Sequence, residues 1–235
     1  NVVVPILFSG SATHFADFVA TPLPLTITAG QTQGSITMIL LNDSLYEGVE
    51  NAIFSFGTMT NGQPGPQATH TVTITDDGDA IPTVGFSITS QTIAEGTSSA
   101  SIEVRLSAIS GLEVSVPIAV AGSALLGTDL ILASGTAVIP AGQLTVNFPV
   151  TVVDDALDEP SEVATFTLGA PTNAMLGGIS SHQVTVLDND AAPSVSFAVA
   201  SDSAPENSGS KTIIAQLSVP SSFDVTVDLI AGGSA

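Results

Sequence analysis

Cysteine and tryptophan are absent from this sequence of 235 residues, tyrosine occurs once, and lysine and arginine together number two. Each absence closes a class of function. Without thiols there is no disulfide framework, no cysteine nucleophile and no cysteine-type zinc site. With Arg105 and Lys211 as the only fixed cations, a phosphate backbone cannot be neutralised, so nucleic acid is not expected as a partner. An anionic membrane surface is disfavoured on the same ground. No apolar run approaches the roughly 20 residues of a membrane helix, so direct membrane insertion is not expected either. The opening residues NVVVPILFSG carry neither the charged start nor the cleavage pattern of a secretion signal. A soluble chain is expected, with any targeting signal outside these residues.

What the chain does hold is acid and hydrocarbon: 22 Asp and Glu, a formal net charge of −20, and 44% hydrophobic residues. Such negative charge on an apolar-poor chain would mean disorder, but Val, Ile, Leu and Phe are frequent enough here to build a core. The placement of the acids then becomes the question.

The sequence repeats itself. A shift of 112 positions carries Gly10-Ser11-Ala12 onto Gly122-Ser123-Ala124, Asp17 onto Asp129, Asp43 onto Asp155, Glu47 onto Glu159, Glu50 onto Glu162, His70 onto His182 and Asp76 onto Asp188. A shift of 111 carries Val84 onto Val195, Phe86 onto Phe197, Glu95 onto Glu206 and Leu106-Ser107 onto Leu217-Ser218. Residues 80–190 are read as one complete repeat, 1–79 as the later part of a preceding one, and 191–235 as the early part of a third. Because the chain starts and stops in the same phase, two arrangements are expected to be open. Either the array continues in one polypeptide, or the 191–235 segment of one copy completes residues 1–79 of the next by strand donation.

Within the complete repeat apolar residues alternate at Ile102, Val104 and Leu106, at Val114, Val116 and Ile118, at Val146, Phe148, Val150 and Val152, at Ala164, Phe166 and Leu168, and at Val184 and Val186. Period two marks half-buried strands. About seven such strands in roughly 100 residues, with Gly, Ser, Asp and Pro between them, predict an all-β protein of tandem seven-stranded immunoglobulin-like β-sandwiches. No segment sustains a 3.6-residue period, so helix is expected to be marginal.

The acids gather where strands end: Glu95, Asp129, the turn holding Asp154, Asp155, Asp158 and Glu159 with Glu162 after it, and Asp188 and Asp190. Carboxylates crowded at one pole repel one another, and Arg105 is the one Lys or Arg of the complete repeat. A hard divalent ion suits an oxygen-only set. Calcium, with about six to eight oxygen ligands, fits better than magnesium, which keeps its water, or zinc, which wants His or Cys. Generic surface acidity is the bland alternative; recurrence of the acids in register and at strand ends favours the ion.

The Glu of AEGTSS, a Gly-Ser followed by an Asp-hydrophobic pair, IPAGQ, DDALDEPSE and a closing VLDND together resemble the Calx-beta repeat, over essentially the whole chain. Members of that family occur in regulatory loops of sodium-calcium exchangers, in an integrin tail and in large microbial surface proteins. The resemblance implies a sandwich that binds calcium in loops at one end, near the junction with the next domain. As ligands it implies Glu95, Asp129, Asp155, Glu159, Glu162, Asp188 and Asp190, with Asp154 and Asp158 in second rank. In the first repeat it implies Asp17, Asp43, Glu47, Glu50, Asp76 and Asp77, and in the third it leaves Glu206. The two sites are not copies. Asn42 stands at the position of Asp154, Gly78 at that of Asp190, and Asn189 at that of Asp77, so the number of ions need not agree.

These expectations describe a non-enzymatic, calcium-stabilised structural segment of an extracellular or cell-surface adhesion protein or filament, with ions stiffening the junctions. Its partners would be neighbouring repeats of the same or an adjacent chain, up to a head-to-tail homopolymer. The alternative is a calcium-sensing regulatory module of a transporter-like protein. Catalysis is not expected, because an active site is seldom duplicated in every repeat. His70 and His182 occupy equivalent places without a nearby nucleophile in sequence, which points to structural or surface roles.

Overall fold

The computed structural model describes residues 1–97 and 99–233. Ser98, within the AEGTSS segment of the sequence, and Ser234 and Ala235, which end the third expected repeat, lie outside the described residues. Apart from a short 3-10 turn at Glu206–Ser208, the regular structure of the described residues is strand, as period-two patterning predicts. Among them no helix is long and apolar enough to cross a membrane. By contact the chain divides into two compact units. One is Asn1–Pro82 with Ser107–Val114 and Pro140–Leu144; the other is Thr83–Leu106 with Ser115–Ile139 and Thr145–Ala235.

The second unit is built on a sandwich of two five-stranded sheets. One has the order Leu130–Leu132, Thr145–Val152, Ala100–Leu106, Thr83–Phe86, Met175–Leu176. The other has the order Thr136–Ile139, Val114–Gly122, Glu162–Leu168, Ser181–Leu187, Ser90–Ala94. Successive side chains on a strand point to opposite faces, and the alternating residues are the ones that go inside. Ile102, Val104, Phe148 and Val150 from the first sheet and Val114, Val116, Phe166 and Val184 from the second are all buried. More segments appear than the seven expected strands because several are fragments. Leu130–Leu132, Thr136–Ile139 and Met175–Leu176 are too short to display an alternation.

The opening strand of this sandwich is also split, and the split positions the site. Thr83–Phe86 pairs in one sheet and Ser90–Ala94 in the other. Ser90–Ala94 runs parallel to Ser181–Leu187 with Ala94 opposite Leu187, and the Glu95 amide donates to the Leu187 carbonyl at 2.9 Å. Parallel neighbours end at the same pole, so Glu95 and Asp188 leave their strands side by side.

In the first unit Ile6–Gly10, Val49–Phe56 and Thr69–Thr75 form an antiparallel sheet, Phe18–Thr21 pairs with Thr37–Leu40, and Val2–Val4 pairs with Leu25–Ile27. Its core is Ala12, Phe18, Ala20 and Ala52, flanked by Phe8, Ile36, Met38, Phe54 and Ile74. Phe8 packs edge-on against both Phe18 and Phe54. In the expected third repeat Val195–Phe197 pairs with Ala215–Leu217. His182 is fully buried and donates from Nδ1 to the Ile88 carbonyl at 2.9 Å, beside Phe86 and Phe166. His70, in the equivalent register, is exposed.

Candidate metal centre

Both repeats approach the acidic pole through the same device. Gly10 and Gly122 end their strands at positive φ, opposite Ala52 and Ala164. The hydroxyl of the next residue then accepts from a facing amide: Ser11 Oγ from Asn51 and Ser123 Oγ from Val163, at 2.9 Å in each case. The Ala12 and Ala124 amides return the bond to the Asn51 and Val163 carbonyls, at 3.2 Å in each. This double tie fixes the backbone immediately after Glu50 and Glu162. The loop beyond it folds back on its own acid, Asp17 Oδ2 accepting from the Thr13 amide and Asp129 Oδ2 from the Leu125 amide, the latter at 2.6 Å. Side-chain hydrogen bonds link Asp17 to Glu50 and Asp129 to Glu162.

The acidic turn is held in a similar manner. Asp43 Oδ1 accepts from the Leu45 amide and Asp155 Oδ1 from the Leu157 amide, at 2.7 Å in both, the local bond by which Asp shapes a turn. After the closing strand, Asp76 Oδ1 accepts from the Gly78 and Asp79 amides at 2.9 Å each, and its Oδ2 from the Glu47 and Gly48 amides at 3.2 and 3.3 Å. Those amide bonds, from Gly78 and Asp79 first, hold the Asp76 carboxyl below its ordinary pKa. Asp188 Oδ1 accepts from the Asp190 amide at 3.2 Å.

Among the described residues, three groups of carboxylates bring one oxygen each within 4.8 Å of one another: Asp17, Glu47 and Glu50; Asp76, Asp77 and Asp79; and Glu95, Asp188 and Asp190. The first two groups, with Asp43, line an open cleft of about 270 Å³ in the first unit. Asp79 is a member that sequence reasoning missed, because its partner in the second repeat is Ala191 and repetition gives no signal there. The second-rank acids have other work. Asp154 Oδ1 accepts from Asn189 Nδ2 at 3.0 Å, and Asp158 Oδ2 from Ser221 Oγ at 2.7 Å. Glu206 opens the 3-10 turn and is exposed.

Glu95 is 5% exposed and its Oε2 has no hydrogen-bond partner; the buried Asp190 Oδ2 has none either. Burial, followed by the charges of Asp155, Asp188, Glu159 and Asp190, pushes the Glu95 pKa up to about 7. Burial, followed by the hydrogen bond and charge of Asp129, pushes Glu162 up to about 7. Glu47 rises to about 6 through burial and then Asp17 and Glu50. Glu50, Glu159, Asp79 and Asp190 are raised as well, burial again first. Lys211, one of the two fixed cations, is paired elsewhere, with Asp202 at 2.5 Å. A donor set made only of oxygens, with buried oxygens left unpartnered, fits a hard divalent cation.

A pH dependence follows for the protein in calcium-free buffer. Raised carboxyls hold protons more tightly in the folded than in the unfolded state. The stability they contribute is therefore present below the unfolded pKa near 4.5 and is lost as pH rises toward about 7, where Glu95 and Glu162 titrate. Urea denaturation of calcium-stripped protein is expected to show unfolding free energy falling by a few kcal/mol over that interval. A stability that climbs through the same interval would contradict the clustering.

A family model described as the Calx-beta domain matches the chain twice, over residues 1–78 and 77–191. Among solved structures, the apo form of the Calx CBD1 domain is similar over 47% of this chain and 100% of its own, at 24% identity and a TM-score of 0.44. The calcium binding domain CBD12 of CALX1.1 is similar over 49% of this chain and 50% of its own, at 24% identity and a TM-score of 0.43. Domains 4 and 5 of the S-layer protein SbsC are similar over 74% and 70%, at 18% identity and a TM-score of 0.28. No curated protein matches the chain.

Proposed function

Since the chain belongs to the Calx-beta domain family, we propose that its acidic pole binds calcium and that the ions stabilise a structural segment of an extracellular or cell-surface protein. The observation that carries this reading is Glu95, a buried carboxylate with an unpartnered oxygen, grouped with Asp188 and Asp190 within 4.8 Å. Buried anions are tolerated when paired or metal-bound, and calcium accepts irregular sets of carboxylate oxygens. The ligands we propose are Glu95, Asp129, Asp155, Glu159, Glu162, Asp188 and Asp190 in the second repeat. In the first they are Asp17, Asp43, Glu47, Glu50, Asp76 and Asp77, joined by Asp79. Recurrence of the acids in both repeats favours a structural ion over a single sensing site, and a binding role over an enzymatic one.

In this reading residues 1–79, 80–190 and 191–235 are successive repeats, and each repeat's partner is the next, in the same or an adjacent chain. Neutralising the acids at a repeat's end restrains loops that otherwise repel, which turns a jointed chain into a stiffer spacer. An ion at about 100 times its dissociation constant adds about 2.7 kcal/mol per site to the folded state, and extracellular modules work with constants of about 10⁻⁴ to 10⁻³ M. Calorimetric titration of the calcium-stripped chain with calcium chloride is expected to show saturable binding in that range, with magnesium weaker. Asp188→Asn should reduce the affinity of the second repeat's site by about tenfold or more, the scale of losing one charged ligand. Absence of binding up to about 10 mM calcium, well above that range, would end the proposal.

A further inference from the structure

The acidic turn of each repeat is gripped by a loop that lies about 64 residues further along the chain, and the backbone part of the grip is the same at both places. In the first unit the Ser107–Val114 loop, though it follows the Ala100–Leu106 strand, packs with residues 1–82. Ser110, 1% exposed, forms a parallel bridge with Tyr46. Ser110 Oγ donates to the Tyr46 carbonyl at 3.1 Å, and the Gly111 amide donates to the same carbonyl at 3.1 Å. The Leu112 amide then donates back to Ser110 Oγ at 3.0 Å, and the Gly142 amide to the Ser110 carbonyl at 2.8 Å. In the second unit Ser221 bridges Asp158 in parallel. The Ser222 amide donates to the Asp158 carbonyl at 2.9 Å, Ser221 Oγ to that carbonyl at 3.4 Å and to Asp158 Oδ2 at 2.7 Å, and the Phe223 amide to Ser221 Oγ at 3.1 Å.

Tyr46 and Asp158 are equivalent under the shift of 112, and Ser110 and Ser221 under the shift of 111. Two independent occurrences of one backbone pattern, on side chains as unlike as Tyr and Asp, mean that the carbonyl is what the loop recognises at both places, the Asp158 carboxylate adding a second acceptor at one of them. We propose that this serine loop is a latch by which each repeat seizes the acidic turn of the repeat before it, so that the docking partner of that turn is a further copy of the same repeat. The fit is tight. A Cβ on Gly111 would lie 2.5 Å from Glu47 Cγ and 2.8 Å from its Oε1. The gripped carbonyl belongs to the residue directly before Glu47 or Glu159, so the latch acts on the backbone that carries a proposed ligand. The contacts do not require the ion, and the latch stands or falls apart from the calcium reading.

The absence of cysteine makes the test simple. In the full chain, Tyr46→Cys with Ser110→Cys, and separately Asp158→Cys with Ser221→Cys, place two thiols on bridge partners, whose strands lie about 4.7–4.9 Å apart. Both pairs are expected to close to intramolecular disulfides under mild oxidation in calcium-free buffer, seen as an intact mass lower by about two daltons, the two hydrogens lost on oxidation. In the unsubstituted chain, hydrogen exchange at the Gly111 and Ser222 amides should be slowed by about a hundredfold or more relative to an open loop. Ser110→Ala should reduce the protection at Gly111 several-fold while leaving Ser222 as it was. Free thiols in both pairs, together with unprotected amides at Gly111 and Ser222, would overturn the latch even if calcium binding were intact. Closure in calcium-free protein that binds no calcium would uphold the latch and sink only the metal reading.

Discussion

Glu95→Gln is expected to change sign with calcium: it should raise the melting temperature of the second unit in calcium-free buffer and lower it when calcium is saturating. At pH 8 without the ion, Glu95 is ionised in a buried position among Asp155, Asp188, Glu159 and Asp190, the surroundings that push its pKa up to about 7. Each unit of such a shift corresponds to about 1.4 kcal/mol against the charged form, so removing the charge relieves the folded state of roughly 1–3 kcal/mol. At about 4 °C per kcal/mol for a domain of this size, the gain is roughly 4–12 °C. The Gln amide can donate to the carboxylates beside it, so the substitution leaves no new orphan. With calcium present the same change deletes a proposed charged ligand and forfeits much of the roughly 2.7 kcal/mol of linkage at about 100 times the dissociation constant. Asp190→Asn, which removes the other group with an unpartnered oxygen, should follow the same crossover. Scanning calorimetry of both variants with and without calcium measures it. A variant that loses stability equally under both conditions would show that Glu95 is an ordinary buried side chain.

The patterning of the chain made the fold legible wherever strands were long enough to alternate, as at Ala100–Leu106 or Thr145–Val152. It was silent at Met175–Leu176 and at the break between Thr83–Phe86 and Ser90–Ala94, because a two-residue strand has no period and the sheet switch is decided by pairing far along the chain. The acids were legible for a different reason, their recurrence in register. That signal marks which acids recur and not which of them meet. Glu95 reaches Asp188 only because their strands run parallel, and Asp79 joins Asp76 and Asp77 with no counterpart in the second repeat. Asp154 and Asp158, ranked second by the resemblance, have carboxylates that accept from Asn189 and Ser221. The serines were the largest loss. Counting serine only among the residues that separate strands passes over Ser11 and Ser123, which tie the strand beside Glu50 and Glu162. The repeated Gly-Ser-Ala would have exposed that tie, because a glycine and a hydroxyl that recur together before an acid argue for a backbone contact that only they permit.

Gly122→Ala is the sharpest test of that last point. Gly122 sits at φ +149°, and a Cβ there would fall 2.0 Å from the Val163 carbonyl oxygen and 3.1 Å from the Ala164 Cα. No rotamer relieves a clash between backbone atoms, so the strands must part. Separation would strain or break the bond from Val163 to Ser123 Oγ and the bond from Ala124 to the Val163 carbonyl. The expected loss is about 3 kcal/mol or more, at the upper end of overpacking effects. Gly142→Ala is the matched control, since Gly142 also has a positive φ, +76°, but no atom lies within 4 Å of where its Cβ would stand; it should lose only about 1 kcal/mol. Gly10→Ala, with its Cβ 2.0 Å from the Asn51 carbonyl oxygen, should repeat the larger effect in the first unit. Because Val163 directly follows Glu162, the Gly122 variant should also bind calcium more weakly at temperatures where it is still folded, whereas the Gly142 variant should bind as the unsubstituted chain does. Urea denaturation and calcium titration of the three variants decide it: equal, small losses at Gly122 and Gly142 would mean that the double tie does not hold the acidic pole in place.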